Sequence, residues 1–346
     1  SVLLFTAMLF SCREAYISPV DVASQNLLVV EGLLNSGNEP TVISLSRTLK
    51  LHDTLQELPE NGAFVSVEGE DGATWNLTPI GRGQYYIFRL PLNTDKKYRL
   101  LIRTSNGQQY ESDFVPVLPA PEIDSITWQQ KNQDVEIMVN THDNTNNTRY
   151  YRWDYDETWE FHSVYLSDFY FDVFNVEMYD RINNREIYYC WKTISSSEIL
   201  LGSTAKQADD ILRNYKLKTI KYGDERLAVR YSINMRQYAL TQTAFEYWQT
   251  MKKNTESMGT IFDPQPSVNV SNIRNTNNPD EMVIGYISAG ATTSSRKFIE
   301  RSEIDWYYWR ECYEIRVPNI KDSLLIYFGT GDMTPTYAVY HELNPH

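Results

Sequence analysis

Three carboxylates, Asp154, Asp156 and Glu157, come nearest to a catalytic pattern in this chain, because they lie among tryptophan and tyrosine residues. Paired carboxylates about 5–9 Å apart perform general acid and base chemistry in glycosidases. In a β-strand, however, successive side chains point to opposite faces, so Asp154 and Asp156 would share one face while Glu157 lies on the other. We therefore favour a strand with an aromatic buried face and an acidic solvated face over a hydrolase site.

Other chemical signatures are weaker. The sequence contains no G-x-S-x-G motif, Walker loop, dinucleotide-binding glycine triad or H-E-x-x-H motif, and the five histidines share no metal-ligand spacing. Asp143, Thr145 and Asn147 have the alternating oxygen donors of a calcium loop, but the glycine and distal glutamate of an EF-hand are missing, and an Asx turn is favoured. We predict that the chain is not an enzyme and holds no metal or cofactor.

The most aromatic stretch of the chain is Trp306, Tyr307, Tyr308 and Trp309. Tryptophan and tyrosine are enriched at binding hot spots, so these four side chains are candidate contacts for a partner or ligand. A strand that buries alternate rings is the competing interpretation, and the one we favour. Exposure of Trp306 and Trp309 in a groove would indicate binding rather than packing.

The sequence begins with an apolar stretch, Val2 to Phe10, that is followed by Ser11 and Cys12. The stretch is too short to cross a bilayer as a helix, which takes about 20 apolar residues, and we predict that residues 1–11 are the remainder of a signal peptide. Its order of apolar run, small residue and cysteine resembles a bacterial lipobox, in which the thiol receives a lipid anchor. Cys12 is then the lipidation site and residues 12–24 form a tether. An ordinary signal peptide with an incidental cysteine and an apolar leading strand are the alternatives.

Two further cysteines, Cys190 and Cys312, remain after this assignment. An exported protein meets an oxidising environment, so the two form a candidate disulfide. Two buried free thiols, which behave as small hydrophobic side chains, are the alternative.

Composition restricts the classes to which the protein can belong. At about 100–200 residues per domain, 346 residues predict two or three domains. The net charge is 32 − 45 = −13, the wrong sign for binding phosphate backbones, so we do not expect a nucleic-acid partner. With 25 Tyr, 13 Phe and 8 Trp, the chain is rich in the aromatic residues that strands favour.

Turn signals and prolines define a first domain. The dipeptides Asp71-Gly72 and Asn106-Gly107 each separate two apolar runs, which indicates two hairpins. Regular short strands predict an N-terminal β-sandwich, Ig-like or transthyretin-like, over residues 25–118. Three prolines within residues 116–121 cannot donate to a sheet, so residues 119–122 are predicted to form a linker.

The remainder, residues 123–346, is predicted to form a second, fibronectin III-like β-sandwich that starts with alternating strands. Residues from about 163–223 fit this pattern poorly and are interpreted as a large insertion. Within them, residues 205–215 have apolar spacing typical of a helix, and a stronger amphipathic helix is predicted at about 241–257. Residues 324–328 are predicted to form a strand. The predicted fold class is therefore mostly β with one or two short helices.

Several short motifs occur in a fixed order along the chain. They are Cys12-Arg13-Glu14, LLVVEGLL at 27–34, Ser46-Arg47-Thr48, the strand from Gly62-Ala63 to Val67, Tyr110-Glu111-Ser112, Cys190-Trp191, Phe262 to Ser267, Gly285-Tyr286 and Arg296 to Ile299. Together they resemble a family of Bacteroidota outer-membrane lipoproteins, domain of unknown function 4249. The resemblance implies a lipid anchor on the outer membrane, at the cell surface rather than the periplasmic face, and a gene often found beside a SusC-like TonB-dependent transporter. It implies no catalytic residues.

Within these motifs, Phe262, Pro264 and Pro266 are candidate partner or ligand contacts, because the two prolines lock the loop that carries the phenylalanine. The insertion at about 163–223 and the loop from Phe262 to Asn278 depart most from sandwich regularity, and we expect them to meet the partner.

These observations lead to one main hypothesis and two alternatives. The main hypothesis is a non-enzymatic outer-membrane lipoprotein that acts as accessory partner of a SusC-like TonB-dependent transporter in nutrient capture or uptake. The first alternative is a self-standing surface lipoprotein that binds carbohydrate or peptide. The second is a glycoside hydrolase that uses Asp154, Asp156 or Glu157.

Overall fold

The computed structural model describes residues 26–48, 58–163, 166–182, 187–256, 271–309, 315–318 and 320–329. The predictions for residues 1–25, among them the lipidation of Cys12, lie outside this part of the chain. The described residues form mostly β-strands with two short α-helices, which confirms the predicted fold class.

Ten strands in the described part precede the proline-rich segment and form most of the first sandwich. They are β1 (Leu28–Asn35), β2 (Thr41–Arg47), β3 (Leu58–Pro59), β4 (Phe64–Gly69), β5 (Thr74–Asn76), β6 (Thr78–Gly81), β7 (Gln84–Ile87), β8 (Lys97–Arg103), β9 (Gln109–Ser112) and β10 (Val115–Pro116). In β1 and β2, Leu28, Val30, Ile43 and Leu45 are almost fully buried at alternate positions. This period of two places one face of each strand in the core.

Both predicted hairpin turns are present. Gly72 joins β4 to β5 and Gly107 joins β8 to β9, and the two strands of each hairpin pair antiparallel. Gly72 has φ 84° and Gly107 has φ 89°, a left-handed conformation that glycine adopts without steric cost.

The second sandwich begins directly after the proline-rich segment. Its strands and the following helix are β11 (Ile123–Lys131), β12 (Asp134–His142), β13 (Tyr150–His162), β14 (Phe169–Asp172), β15 (Glu177–Asp180), β16 (Tyr189–Ser195), β17 (Leu200–Ser203), β18 (Ile211–Ile220), β19 (Arg230–Ala239) and α1 (Gln242–Glu256). Helix α1 corresponds to the helix predicted at about 241–257.

After α1 the chain returns to the first sandwich through β20 (Ile273–Asn275), β21 (Ile284–Gly285) and β22 (Ser288–Gly290). β21 and β22 pair in parallel with β1, and β20 pairs antiparallel with β9. The two sheets of this sandwich therefore have the orders β21-β1-β2-β7-β6, with β22 also on β1 and β3 on β2, and β20-β9-β8-β4-β5, with β10 on β8.

This return corrects the prediction that residues 123–346 belong to the second sandwich alone, because residues 273–290 complete the first. The pairing joins segments some 250 residues apart, which local patterning does not reveal. Gly285 makes it sterically possible: at φ 133° its backbone approaches Val30 so closely that a Cβ would clash with the Val30 carbonyl oxygen.

The chain then completes the second sandwich with β23 (Thr293–Glu300) and reaches α2 (Lys321–Phe328). A three-stranded sheet, β11-β12-β18, packs on a five-stranded sheet, β16-β13-β19-β23, in which β17 also pairs with β13. Tyr151, Trp153 and Tyr155 of β13 are buried between the two sheets. Of the helices in the described residues, none has the length and apolar character needed to cross a membrane.

The prediction of an insertion at about 163–223 is wrong for most of these residues. β16 and β17 pair with β13, and β18 is part of the three-stranded sheet, so all three are strands of the sandwich itself. Only the β14–β15 hairpin forms a separate two-stranded sheet within this region of the described chain.

Two short elements have a different type from the one predicted. The helical spacing at residues 205–215 falls partly in strand β18, whose pairing with β12 has two register shifts. These shifts displace the alternation, so that buried Leu212, Leu217 and Ile220 do not follow a period of two. Residues 324–328 lie in α2 rather than in a strand, because a short apolar run fits either structure.

The predicted linker at residues 119–122 does join the two sandwiches, but it is held by hydrogen bonds on both sides. The Ala120 N–H donates to the Ala291 carbonyl at 2.8 Å. Gln237 of the second sandwich donates from Nε2 to the Pro121 carbonyl at 2.8 Å. The junction therefore consists of two chain segments, residues 119–122 and the segment that follows β22, which are hydrogen-bonded to each other.

Candidate functional site

Asp154 and Asp156 lie on the outward face of β13, where both contact one guanidinium. Arg236 on β19 donates from Nε to Asp154 at 2.5 Å and from Nη1 to Asp156. The hydrogen bond from Arg236 lowers the pKa of Asp156. This pairing suits a structural role, because Asp156 is held as a carboxylate rather than as the protonated acid that general acid catalysis requires.

Glu157 lies on the inward face of β13 and is 3% exposed. Its Oε1 accepts from the Tyr231 hydroxyl at 2.6 Å, and its Oε2 accepts from Lys218 Nζ at 2.8 Å. Lys218 also donates to the Tyr155 hydroxyl at 2.8 Å. Burial and the neighbouring Glu157 raise the pKa of Tyr231 far above its usual value, so this hydroxyl stays protonated as a donor. The alternation of β13 predicts the face of Glu157 but not its partners on β18 and β19.

The aromatic run divides between the core and the surface. Trp306 is buried and donates from Nε1 to the Gln133 carbonyl at 2.8 Å. Tyr308 is half-buried, whereas Tyr307 and Trp309 are 79% and 82% exposed. Trp306 therefore packs in the core of the second sandwich. A contact role for Tyr307 and Trp309 stays a prediction.

Several predicted site residues cannot be placed together. Cys190 lies half-buried on β16, but Cys312 is outside the described residues, and the disulfide stays a prediction. Phe262, Pro264 and Pro266 also lie outside them, and their contact role stays a prediction as well.

The Asp143 loop has the geometry of an Asx turn. Asp143 accepts from the backbone N–H groups of Thr145 and Thr148, each at 2.8 Å. Although burial acts to raise the pKa of Asp143, the hydrogen bond from the Thr145 hydroxyl at 2.6 Å and those from the two N–H groups lower it to about 2. Across the part of the chain that the structure describes, no cluster of three or more histidine, cysteine or acidic side chains is arranged to hold a metal.

A polar cleft of about 540 Å³ lies at the end of the first sandwich where the start of β1 and the end of β2 face the β8–β9 turn. Arg47 and Tyr110 contribute to its wall, and Arg47 Nη1 lies 3.5 Å from the Tyr110 hydroxyl. Both residues belong to short motifs that carry the family resemblance, but a separation of 63 residues conceals their contact in the sequence.

Ion pairs and hydrogen bonds fix this wall of the cleft. Arg47 donates from Nε to Glu60 at 2.6 Å, and the Tyr110 hydroxyl donates to Glu281 at 2.8 Å. Burial acts to lower the pKa of Arg47, but the hydrogen bonds to Glu60 and Tyr110 and the electrostatic attraction of these two groups together outweigh it, and the pKa is raised. Burial and the bond to Glu281 raise the pKa of Tyr110. Near neutral pH the cleft thus presents a fixed guanidinium and a protonated phenol.

The β14–β15 hairpin presents an exposed aromatic side chain on an ordered turn. Phe174 at its tip is 98% exposed. Asp172 accepts from the N–H groups of Phe174 at 2.8 Å and of Asn175 at 3.1 Å, and these hydrogen bonds lower its pKa. Tyr170 and Tyr179 stack across the two strands with centroids 5.6 Å apart. We call Tyr170, Phe174 and Tyr179 the hairpin surface.

Other exposed apolar side chains occur on the same sandwich. Trp191 on β16, the edge strand of the five-stranded sheet among the described strands, is 64% exposed. The hairpin also packs against helix α2, because the ring of Phe171 contacts the ring of Phe328 with centroids 5.9 Å apart. Exposed aromatic side chains that lie close together on an ordered support make the hairpin surface a candidate interaction surface.

Comparison with known proteins gives weak structural likenesses. A segment of two fibronectin type III domains from chicken tenascin is 12% identical, with 61% of this chain and 90% of that chain covered and a TM-score of 0.17. A Bacteroides uniformis ATCC 8492 protein named as a candidate carbohydrate binder is 11% identical, with 63% and 92% covered and a TM-score of 0.17. No curated protein matches the chain significantly.

One family model matches most of the sequence. It covers residues 14–296, which include the strands of the first sandwich and most of the second. Its description, domain of unknown function, names no reaction, ligand or partner. The chain therefore belongs to the family named Domain of unknown function (DUF4249).

Proposed function

We propose that this chain is a non-enzymatic lipoprotein, anchored through Cys12 in the outer membrane at the cell surface, that acts as accessory partner of a SusC-like TonB-dependent transporter in nutrient capture or uptake. The hairpin surface carries this proposal. A phenylalanine that is 98% exposed on a turn braced by Asp172 has the properties of a binding anchor, since an ordered anchor loses little conformational entropy on binding.

The position of the hairpin supports a protein partner. The end of β1 lies at the junction of the two sandwiches, because the N–H of Ser36, the next residue, donates to the Gly290 carbonyl at 3.1 Å. The start of β1 is therefore directed away from the junction. β13 begins near Gln237, which contacts Pro121 of the linker, and ends at His162, from which the chain continues into the hairpin. At about 3.4 Å per residue, β13 alone is about 44 Å long. The hairpin therefore follows the end of β13 that is directed away from the junction, where it can meet the part of a barrel that projects from the membrane.

The charges of the hairpin also favour a protein over a lipid surface. Asp172, Glu177 and Asp180 flank the aromatic side chains on the two strands. Burying carboxylates in an anionic or apolar membrane interface is unfavourable, whereas a partner pocket with a basic rim would complement them.

The test is purification of the C-terminally tagged protein from outer membranes in mild detergent, with identification and quantification of what accompanies it. We expect a TonB-dependent barrel in a one-to-one ratio with the unmodified protein. Phe174→Ala should reduce its recovery by at least about tenfold, as for a binding hot spot. Phe88→Ala removes a phenylalanine that is 68% exposed on the first sandwich and should leave recovery unchanged. Recovery of the lipoprotein alone in several detergents would contradict the proposal.

A second candidate function is that of a self-standing surface protein that binds carbohydrate or peptide. The observation that favours it is the polar cleft of the first sandwich, which has a volume within the usual range of ligand sites, about 300–1,000 Å³. The first proposal concerns the β14–β15 hairpin and the second concerns the cleft of the first sandwich. Each can therefore be tested independently of the other.

A further inference from the structure

The polar cleft has a rigid part, whose side chains are held by a hydrogen-bond network, and a free part, whose side chains keep unused hydrogen-bonding groups. Its rigid part is the network of Arg47, Glu60, Tyr110 and Glu281, in which Glu281 also accepts from Asn275 Nδ2 at 2.6 Å. The side chains of Arg47 and Glu60 are only 10% and 13% exposed. Such a network keeps the wall in one geometry before any ligand arrives, which lowers the entropic cost of binding.

The free part consists of amide and carboxylate groups. Gln108 accepts at Oε1 from Asn275 at 3.0 Å, and Asn106 accepts at Oδ1 from the Gln108 N–H at 3.3 Å, so the NH₂ groups of Gln108 and Asn106 remain as donors. The side chains of Asn278 and Asp280 make no hydrogen bond to any other described residue, and both line the cleft. Donors and acceptors therefore stand side by side along the free wall.

Such a mixture selects the chemical class of the ligand. An anion would need donors alone and a cation would need acceptors alone, whereas a hydroxyl group both donates and accepts. Three carboxylates, Glu60, Asp280 and Glu281, against the single guanidinium of Arg47 give the lining a formal charge of 1 − 3 = −2, which disfavours anionic ligands.

The cleft also lacks the apolar lining that most side chains of a peptide would need. Leu27 is the one aliphatic residue among those that line it, and Tyr110 is 2% exposed, with its ring buried in the first core. A small ligand would therefore be held by hydrogen bonds, with little gain from apolar burial.

We propose that this cleft binds a neutral, hydroxyl-rich ligand of the size of a monosaccharide or disaccharide, with Gln108, Asn278 and Asp280 as its direct contacts. The inference rests on the second proposed function, and it chooses carbohydrate over peptide. It does not depend on a transporter.

The experiment is saturation-transfer NMR on the full chain, followed by calorimetry with any sugar that binds. The probes are glucose, galactose, maltose and lactose, with glucuronate as an anionic counterpart and glycylglycine as a peptide. At least one neutral sugar should bind, and glucuronate should bind at least about tenfold more weakly than that sugar. Gln108→Ala and Asn278→Ala should each weaken sugar binding by about tenfold, the loss of roughly one hydrogen bond.

Asn76→Ala is the matched control, because Asn76 is an exposed amide on β5, at the opposite edge of the same sheet from β20. It should leave sugar affinity unchanged. Absence of saturation transfer from every neutral sugar at millimolar concentration overturns the inference, and so does binding that persists in both cleft variants. Binding of glycylglycine but of no sugar would overturn the carbohydrate assignment while leaving the second proposed function in place.

Discussion

Removal of the positive charge of Lys218 tests the role of the buried ion pair in the second sandwich. Lys218 Nζ lies 2.8 Å from Glu157 Oε2, and the two side chains are only 9% and 4% exposed. In Lys218→Met the apolar stem is replaced at similar volume, but Glu157 remains as a buried carboxylate without its closest cation. The variant therefore measures the cost of an unpaired buried charge together with the loss of the hydrogen bond from Lys218 to the Tyr155 hydroxyl.

The expected magnitude follows from the contacts that remain. Loss of one partner of a buried ion pair typically destabilises a protein by about 3–5 kcal/mol. Glu157 keeps the hydrogen bond from Tyr231 at 2.6 Å, and Arg226 Nε lies 3.7 Å from its Oε2. Because these two groups compensate in part, we expect the lower end of the range, about 3 kcal/mol.

Urea unfolding followed by tryptophan fluorescence measures this loss. With a dependence of about 1–3 kcal/mol per molar urea, a loss of about 3 kcal/mol lowers the midpoint by about 1–3 M. Lys221→Met is the control, since the Lys221–Asp134 pair has the same 2.8 Å separation but the lysine side chain is 77% exposed. That variant should lose at most about 1 kcal/mol.

The double variant Glu157→Gln with Lys218→Met separates charge from packing. The amide oxygen introduced by Glu157→Gln would still accept from Tyr231 while no charge remains unpaired, so stability should recover to within about 1.5 kcal/mol of the unmodified protein. A double variant as unstable as Lys218→Met alone would show that lost packing or the lost hydrogen bond to Tyr155, and not the unpaired charge, causes the effect. A loss below about 1 kcal/mol in Lys218→Met would refute the argument that the pair is shielded from water.

Three further predictions concern other features. As the pH falls from 3.8 to about 2, the protein should lose the stability that ionised Asp143 contributes, because its folded pKa is depressed; Asp143→Asn should lack this part of the pH dependence in urea unfolding, and an identical profile would contradict it. Gly285→Ala should destabilise the first sandwich by at least about 2 kcal/mol in the same assay, since a Cβ would clash with the Val30 carbonyl; a smaller loss would mean that β21 can move away. Cys12→Ser should release the protein from the membrane fraction after cell lysis, and continued membrane association would remove lipidation as the anchor.

Local patterning in the sequence predicts much of the secondary structure. The alternation of Tyr151, Trp153 and Tyr155 identifies the buried face of β13, because side chains of a strand point to opposite faces in turn. Gly72 and Gly107 predict two hairpin turns, because glycine adopts their left-handed conformation without strain. These properties depend on neighbours in the chain, which a sequence displays directly.

The contacts that form the candidate sites could not be predicted from the sequence. Arg47 contacts Tyr110, and Tyr110 donates to Glu281, a residue 171 positions further along the chain. Likewise, Lys218 in a strand with two register shifts gives no sign that it faces Glu157, 61 positions earlier. Polar contacts of this kind arise only when distant strands are brought together, and no periodicity encodes them.

The sequence by itself determined the fold class, the turns of two hairpins, the main helix and the strand alternation that separates Glu157 from Asp154 and Asp156. Only the tertiary structure decided that residues 273–290 return to the first sandwich and that a polar cleft forms at its end. The physical reason is the range of the interactions involved. Steric preferences and side-chain periodicity act within a few residues, whereas sheet pairing and buried ion pairs depend on segments that meet only in the folded chain.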